Sequence, residues 1–397
     1  AAYGFIAQWV SRMRSENRVG DPSDWQHAPL HPEVDVIFPI QRAPERALAS
    51  NEWLGVHDHE QIRAQRHPQA SRSLAWKTCV FARPEDPELH RVLRAVHRNA
   101  TLANLQSREV IEERDPWWEP IERTQQRFEP WIWRQTERFL AGLSIWSHEQ
   151  WRGSGNQNQS TYTGSSAKDQ ALLRMLCEDA LPDRYPGRES DAVLRARLDK
   201  ELDLIQKKEF VAYFLLNWDI VRYAQKQHFF YVGRGSGANS MVAYLLKITN
   251  VDPIELDLYF ERFINLYRSA PPDFDIDFSW RDRPRLTEYI FKRFPHTALL
   301  GAVSTFQHRA VVRELGKVWG LPKSDIDELA DGKLRDRDET ARNILRYGRL
   351  LHGLPNRMTL HSSGILIANA PLTTWSTTFM PPKGFPTVDF DMHTAED

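Results

Sequence analysis

The hydrophobic pattern of this chain changes period several times, and each change marks an element. Apolar positions at helical spacing predict helices over 5–13 and 44–50, and short apolar runs predict strands over 34–38, 52–56 and 74–81. Leu89, Val92, Leu93, Val96 and Leu105 form one stripe, which predicts an amphipathic helix over 86–105. Strand alternating with helix is an α/β signature, so the first 105 residues read as part of a parallel-sheet or barrel domain. Trp117, Trp118, Trp131, Trp133 and Trp146 follow among many charges. They predict a small helical connector whose rings supply its packing, with base stacking as the alternative. Residues 152–167 are rich in Gly, Ser, Asn and Gln and mark a flexible loop and a domain boundary.

Beyond the loop, helices are predicted over 169–180 and, in two segments, over 190–225, with an apolar face made by Phe210, Tyr213, Phe214 and Trp218. A short strand over 229–232 runs through a glycine-rich stretch into a helix over 241–247. A further helix is predicted over 257–266. At 271–278, Pro-Pro-Asp-Phe-Asp-Ile-Asp-Phe, the period becomes 2. Later, Ser324-Asp-Ile-Asp reads as a capping box. Residues 330–345 are highly charged and read as exposed, 364–368 as a buried strand, and 388–391 alternates again.

The period-2 stretch puts Asp273, Asp275 and Asp277 on one face and Phe274, Ile276 and Phe278 on the other. Neighbouring carboxylates are then roughly 6.6 Å apart along the strand. Asp is a poor strand former and like charges repel, so the arrangement is costly unless it gains a partner. A divalent metal is the simplest one, because carboxylates and water are the ligands that Mg²⁺ prefers. A solvated acidic edge is the alternative.

About forty residues upstream, Gly233-Arg-Gly-Ser-Gly-Ala-Asn-Ser joins a strand to a helix. Glycine lets the backbone approach an anion, and helix N-terminal N–H groups favour one. Arg234 adds a cation suited to phosphate, and Ser236 a donor or cap. The spacing is neither that of the P-loop nor G-x-G-x-x-G, and a tight structural turn would also explain it. Downstream, from 281 to 320, eight Lys or Arg face three acids, and Arg309, Arg313 and Lys317 line one helix face at intervals of four. Cations for a phosphodiester backbone beside carboxylates for metal ions suit an enzyme of nucleic acid.

Composition narrows this reading little. The 397 residues carry 52 Lys plus Arg against 53 Asp plus Glu, a net charge of −1, so any polyanion contact must come from local patches. Cys79 and Cys177 are too far apart in sequence to suggest a metal or disulfide pattern, which fits a reducing compartment. The longest apolar run is far short of the roughly 20 residues that span a bilayer, and the start resembles no signal peptide. The expectation is a cytoplasmic protein with no membrane partner. His57-Asp-His59 reads as a polar loop rather than a metal site, lacking further ligands at zinc spacing.

With these pieces in place, the run from Gly233-Arg-Gly-Ser-Gly-Ala-Asn-Ser-Met-Val-Ala-Tyr through Val251-Asp-Pro, Phe260-Glu-Arg-Phe263 and Pro272-Asp-Phe-Asp-Ile-Asp-Phe278 resembles the C-family DNA polymerases, the family of the bacterial DNA polymerase III alpha subunit. Residues 210–216, 305–317 and 357–368 agree with it, and the likeness covers about 195–397. It implies an α+β fold: a nucleotidyltransferase-type palm with a mixed sheet and a helical thumb, preceded by an incomplete PHP (polymerase and histidinol phosphatase) β/α barrel-like region. The implied divisions are 1–108 for the PHP-like part, 109–167 for the connector and loop, 168–300 for the palm, 301–354 for the thumb-like helices and 355–397 for a return to the palm.

The resemblance implies DNA-templated DNA polymerase activity with two Mg²⁺ ions held by Asp273 and Asp275, Asp277 being supporting or structural. It gives Gly233, Arg234, Gly235, Ser236 and Arg357 to the incoming dNTP, and Arg309, Arg313 and Lys317 to primer–template DNA. Sliding clamp and other replisome subunits are implied as partners of the full-length protein. Cys79 and Phe81 stand where metal-binding relatives carry an Asp-x-His motif, so neither a PHP metal centre nor proofreading is expected. The third catalytic carboxylate, the fingers and the clamp-binding region are expected beyond Asp397, leaving a fragment inactive alone. A two-metal nuclease or phosphoesterase, and a non-catalytic DNA-binding piece, are the rival readings.

Overall fold

The computed structural model describes residues 2–16, 31–106, 116–143, 157–262, 274–332 and 339–396. The chain divides into two compact units. One comprises residues 1–153, 301–360 and 390–397, and the other 154–300 and 361–389. Both mix helices with sheet, in line with the mixed α and β content expected.

In the first unit, helix α1 (Ala2–Ser15) precedes three parallel strands, β1 (Val36–Pro39), β2 (Glu52–Val56) and β3 (Ser73–Ala75), in the order β1-β2-β3. Short helix α2 (Gln61–Arg66) lies between β2 and β3. The helix expected over 44–50 is absent. That segment instead wraps the buried carboxylate of Glu52, which accepts from Arg46 through both Nη atoms (2.6 and 2.7 Å) and from the Ala49 N–H (2.7 Å). A buried carboxylate needs those donors, and they outweigh local helix propensity. The strand expected over 74–81 stops at Ala75, because its partner β2 ends at Val56. Beyond it, Val80 and Phe81 donate to the Pro116 carbonyl. Helix α3 (Asp86–Arg98) is shorter than expected: Asn99 takes a left-handed conformation (φ 50°) and ends it. After α4 (Ile121–Arg127), helix α5 (Pro130–Gly142) brings Trp131 and Trp133 against a core of Leu54, Val56, Phe128 and Ile132, the packing role expected of them.

The second unit is built on α6 (Ser166–Arg184), α7 (Ala192–Lys207) and α8 (Val211–Lys226). Their apolar faces enclose Leu173, Leu198, Ile205, Phe214 and Leu215 together with Met241, Val242 and Leu245 of the short helix α9 (Met241–Leu245). The expected strand over 229–232 is shifted to β4 (Tyr231–Arg234), since pairing with β5 (Asp275–Phe278) draws Gly233 and Arg234 into it. Where a helix was expected from 257, the described residues form only a single 3-10 turn, Phe260–Arg262, and 263–266 lie outside them. Helix α10 (Arg283–Arg293) follows β5 and leads into β6 (Thr297–Thr305). A four-stranded mixed sheet has the order β7-β6-β9-β8, with β7 Pro355–Ile367, β8 Thr378–Phe379 and β9 Thr387–Val388; residues 301–305 of β6 and 355–360 of β7 count with the first unit. Its β6–β9 pair is parallel and its β8–β9 pair antiparallel.

Back in the first unit, α11 (His308–Val318), α12 (Lys323–Ala330) and α13 (Glu339–Leu351) pack with α3 around Val92, Val312, Leu315 and Ile344. The stretch over 330–345, read as exposed, is amphipathic from Glu339 on, with Ala341 and Ile344 buried, and its residues 333–338 lie outside those described. The capping box at Ser324 does not form. Pro322 occupies the N-cap position, and the Ser324 hydroxyl donates to Asp325. No helix among the described residues is long and apolar enough to cross a membrane.

Two charged side chains with no solvent exposure carry testable consequences. Glu201 on α7 accepts from Ser240 Oγ, two backbone N–H groups and Arg197. Glu201→Ala leaves that cation and those donors without their acceptor, and should cost about 3–5 kcal/mol in urea unfolding. Glu52 is held below its ordinary value of 4.5, chiefly by the hydrogen bond from Arg46. A depressed carboxyl stabilises the fold above its unfolded value and loses that contribution as pH falls through the folded one. The stability gap between the protein and Glu52→Gln should therefore be full above about pH 4.5 and close as the medium is acidified below it; a gap independent of pH would contradict this.

Candidate metal and nucleotide site

The site is built on one antiparallel ladder. Register pairs Tyr231 with Phe278, Val232 with Asp277, Gly233 with Ile276 and Arg234 with Asp275. Paired residues share a face of a sheet. One face thus carries Tyr231, Ile276 and Phe278 toward the helical core, where Tyr231 and Ile276 pack. The opposite face carries Arg234, Asp275 and Asp277 into solvent. The alternation read from sequence is present over the described part of the strand. Asp273 lies outside the described residues.

On that outer face, the Arg234 guanidinium joins two carboxylates. Its Nε donates to Asp277 Oδ2 at 2.6 Å, Nη2 to Asp277 Oδ1 at 3.4 Å, and Nη1 to Asp275 Oδ2 at 3.0 Å. All three side chains are more than half exposed. The pairing holds the Asp277 carboxyl below its ordinary range and raises Arg234. Two acids that repel along a strand are thus held together by a cation supplied from the neighbouring strand.

The loop after β4 needs its glycines for separate reasons. A Cβ on Gly233 would lie 1.8 Å from the Ile248 carbonyl oxygen, and one on Gly237 would meet the Phe274 ring at 2.3 Å. Gly235 has φ +97°, a conformation other residues rarely adopt. Ser236 then opens a 3-10 turn to Asn239, and Ser240 caps α9 by accepting from the Ala243 N–H.

Here the structure corrects the physical reasoning about the loop. The N-terminal N–H groups of α9 are not left for a ligand. Met241 and Val242 donate to Glu201 at 3.1 and 3.2 Å, and Ser240 Oγ donates to it at 2.7 Å. Burial pushes the Glu201 carboxyl up, against the pull of Arg197 and Ser240. An internal carboxylate has taken the anion position at this helix end. Sequence reasoning missed Glu201, although its spacing from Leu194, Leu198 and Ile205 sets it on the apolar stripe of α7, where a charge needs a reason. It also missed Asp219, buried on α8, which accepts from Arg222, Tyr289 and Arg293 and ties α10 to α8 behind the acidic strand. Tyr213 stacks on Phe274, and its hydroxyl accepts from the Phe274 N–H, fixing the entry to β5.

The remaining candidates lie in the other unit. Arg309, Arg313 and Lys317 line α11 as expected, but they are not a bare basic stripe. Arg309 pairs with Asp331 and Arg313 with Asp327, on or just after α12, and Lys317 pairs with Glu314. Asp327 on the next helix and Asp331 just past its end, four apart, were the available signal. Arg357 is exposed on β7, and its carbonyl accepts from Ser304. Thus Gly233, Arg234, Gly235, Ser236 and Asp275 come together in one unit, and Arg309, Arg313, Lys317 and Arg357 belong to the other.

The donor chemistry of the acidic face suits a hard divalent cation. Asp275 and Asp277 offer carboxylate oxygens in solvent and already converge on one positive charge. No cluster of three or more His, Cys, Asp or Glu that could hold a metal occurs among the described residues.

Comparison with known proteins places the second half of the chain in a described family. Residues 171–397 match the family described as Bacterial DNA polymerase III alpha NTPase domain. An error-prone DNA polymerase of Pseudomonas syringae pv. syringae is 38% identical over 221 residues, 51% of this chain and 21% of that protein. One from Anaeromyxobacter dehalogenans is 34% identical over 223 residues, 51% of this chain and 20% of that protein. One from Mesorhizobium japonicum is 34% identical over 224 residues, 52% and 20%. The chain thus spans about a fifth of the length of the curated relatives it matches. With more than half of its residues in that match, the chain belongs to the bacterial DNA polymerase III alpha NTPase domain family.

Proposed function

We propose that these residues supply the triphosphate loop and the first metal-binding carboxylates of a DNA-templated DNA polymerase, which joins a dNTP to a primer 3′-hydroxyl. The observation that carries this reading is the β4–β5 ladder, which sets solvent-exposed Asp275 and Asp277 against Arg234 at the mouth of a loop that only glycine can form. The names of the relatives support it. On this reading the β4–β5 ladder and the mixed sheet are the palm, α11–α13 are thumb-like, and β1–β3 belong to a PHP-like region.

In this account Asp275, with Asp273, would hold Mg²⁺. The ions would supply a more acidic 3′-hydroxyl and charge neutralisation at the triphosphate. The chain's own part is positioning. Gly235 and Ser236 let backbone and hydroxyl approach phosphate oxygens, and Arg234 brings a cation that cannot be deprotonated. Asp219 and Glu201 keep the two sides of the site at fixed separation by bracing α10 and α9. Arg309, Arg313 and Lys317 meet the DNA backbone, exchanging Asp327, Asp331 and Glu314 for phosphates.

Two measurements test this. Binding of a fluorescent dNTP should require Mg²⁺, and Asp275→Asn should weaken the Mg²⁺-dependent part by about 10-fold or more, with primer extension by an enzyme containing this chain falling about 100-fold. Unchanged binding and extension would contradict the assignment. Asp327→Asn with Asp331→Asn should tighten duplex DNA binding at low salt by about threefold per carboxylate, because the arginines no longer trade a resident partner for phosphate. Unaltered affinity would remove α11 from the DNA contact.

A further inference from the structure

The metal reading uses the first two aspartates of the acidic strand and leaves the third without a task. The geometry gives it one. Arg234 faces Asp275 directly across the ladder, yet spends only Nη1 on it, at 3.0 Å. Its Nε and Nη2 both go to Asp277, at 2.6 and 3.4 Å, in the forked arrangement that gives an arginine–carboxylate pair its directionality. The guanidinium therefore has two holds of unequal strength. The weaker is on the residue assigned to the metal, and the stronger is one strand step away.

Each hold is exposed to solvent, so neither contact is costly to exchange. Losing the Asp275 contact still leaves Arg234 anchored through Nε and Nη2, with Nη1 free to donate elsewhere. Arg234 immediately precedes Gly235 and Ser236, so a cation held there stays at the mouth of the loop. Arg283 also lies within electrostatic reach of Asp277, but its Nη1 donates to the Ser362 carbonyl at 3.4 Å. Arg234 alone bridges the two aspartates among the described residues.

We propose that Asp277 is the positioning residue for Arg234: it retains the guanidinium while Asp275 exchanges Arg234 for a divalent cation, so that the arginine remains at the loop to meet a polyphosphate. This rests on the polymerase reading for the role of Asp275, and it assigns Asp277 a task distinct from metal ligation. Without Asp277, Arg234 has only Asp275 to pair with and competes there with the cation.

The test is a double-mutant cycle on Mn²⁺ binding to the 397-residue chain, read from the loss of the free-ion electron paramagnetic resonance signal. The substituted side chains are exposed, so the variants fold. Arg234→Gln should tighten Mn²⁺ binding about three- to fivefold by removing a resident competitor. Asp277→Asn should weaken it, and that loss should be at least about threefold larger with Arg234 present than in the Arg234→Gln background. Equal losses in both backgrounds would make Asp277 a ligand or a bulk charge and overturn the proposal. So would an Arg234→Gln chain that binds no tighter than the parent. Asp275→Asn separates the two levels. If it binds Mn²⁺ as well as the parent, the polymerase reading of the site fails and the proposal with it. If it loses binding while the cycle is additive, only the positioning role fails.

Discussion

A carboxylate with no access to water must be surrounded by donors, and the position of Glu201 makes that requirement the fixed point of the site. Three of its hydrogen bonds come from Ser240, Met241 and Val242, and its charge is matched by Arg197 on the same helix. The first turn of α9 is thereby tied to α7 in the core. Gly233 packs on the Ile248 carbonyl from one side and Gly237 on Phe274 from the other, so the loop between these anchors has little freedom. Its exposed residues, Arg234 and Gly235, are presented outward. The dipole of α9 is spent inside the protein, on Glu201. Any anion bound at the loop depends on the loop's own groups and on Arg234.

Arg234 in turn makes the acidic strand tolerable. Carboxylates along one face of a strand repel, and in water the repulsion is modest but real. A cation from the partner strand offsets it while leaving the face in solvent. The result is an exposed acidic face that holds one cation through exchangeable contacts. Asp219 does the opposite. Its partners Arg222, Arg293 and Tyr289 surround a carboxylate with no exposure, and this contact is structural.

What sequence could show followed from how local each feature is. The acidic strand was legible because alternation is a property of eight consecutive residues. Its partner was not, because register between Arg234 and Asp275 is set 41 positions apart. The glycine loop was legible as a loop. Its helix end was misread because the competing anion comes from Glu201, 39 residues before Ser240. The stripe on α11 was seen, but the acids that pair with its arginines lie on or just after α12, and charge counted along one helix misses pairs across two. The failed helix at 44–50 has the same origin: Glu52 recruits Arg46 and Ala49, and a buried charge overrides propensity.

On the proposed function, the outward face of the β4–β5 ladder receives a metal-bound triphosphate. The most direct measurement is a crystal structure of the chain soaked with Mn²⁺ and a dNTP, with anomalous difference density at the manganese edge. The expected density shows manganese on Asp275, triphosphate oxygens against Gly235 and Ser236, and Arg234 withdrawn from Asp275. Manganese and triphosphate bound elsewhere, with Arg234 still bridging Asp275 and Asp277, would contradict it.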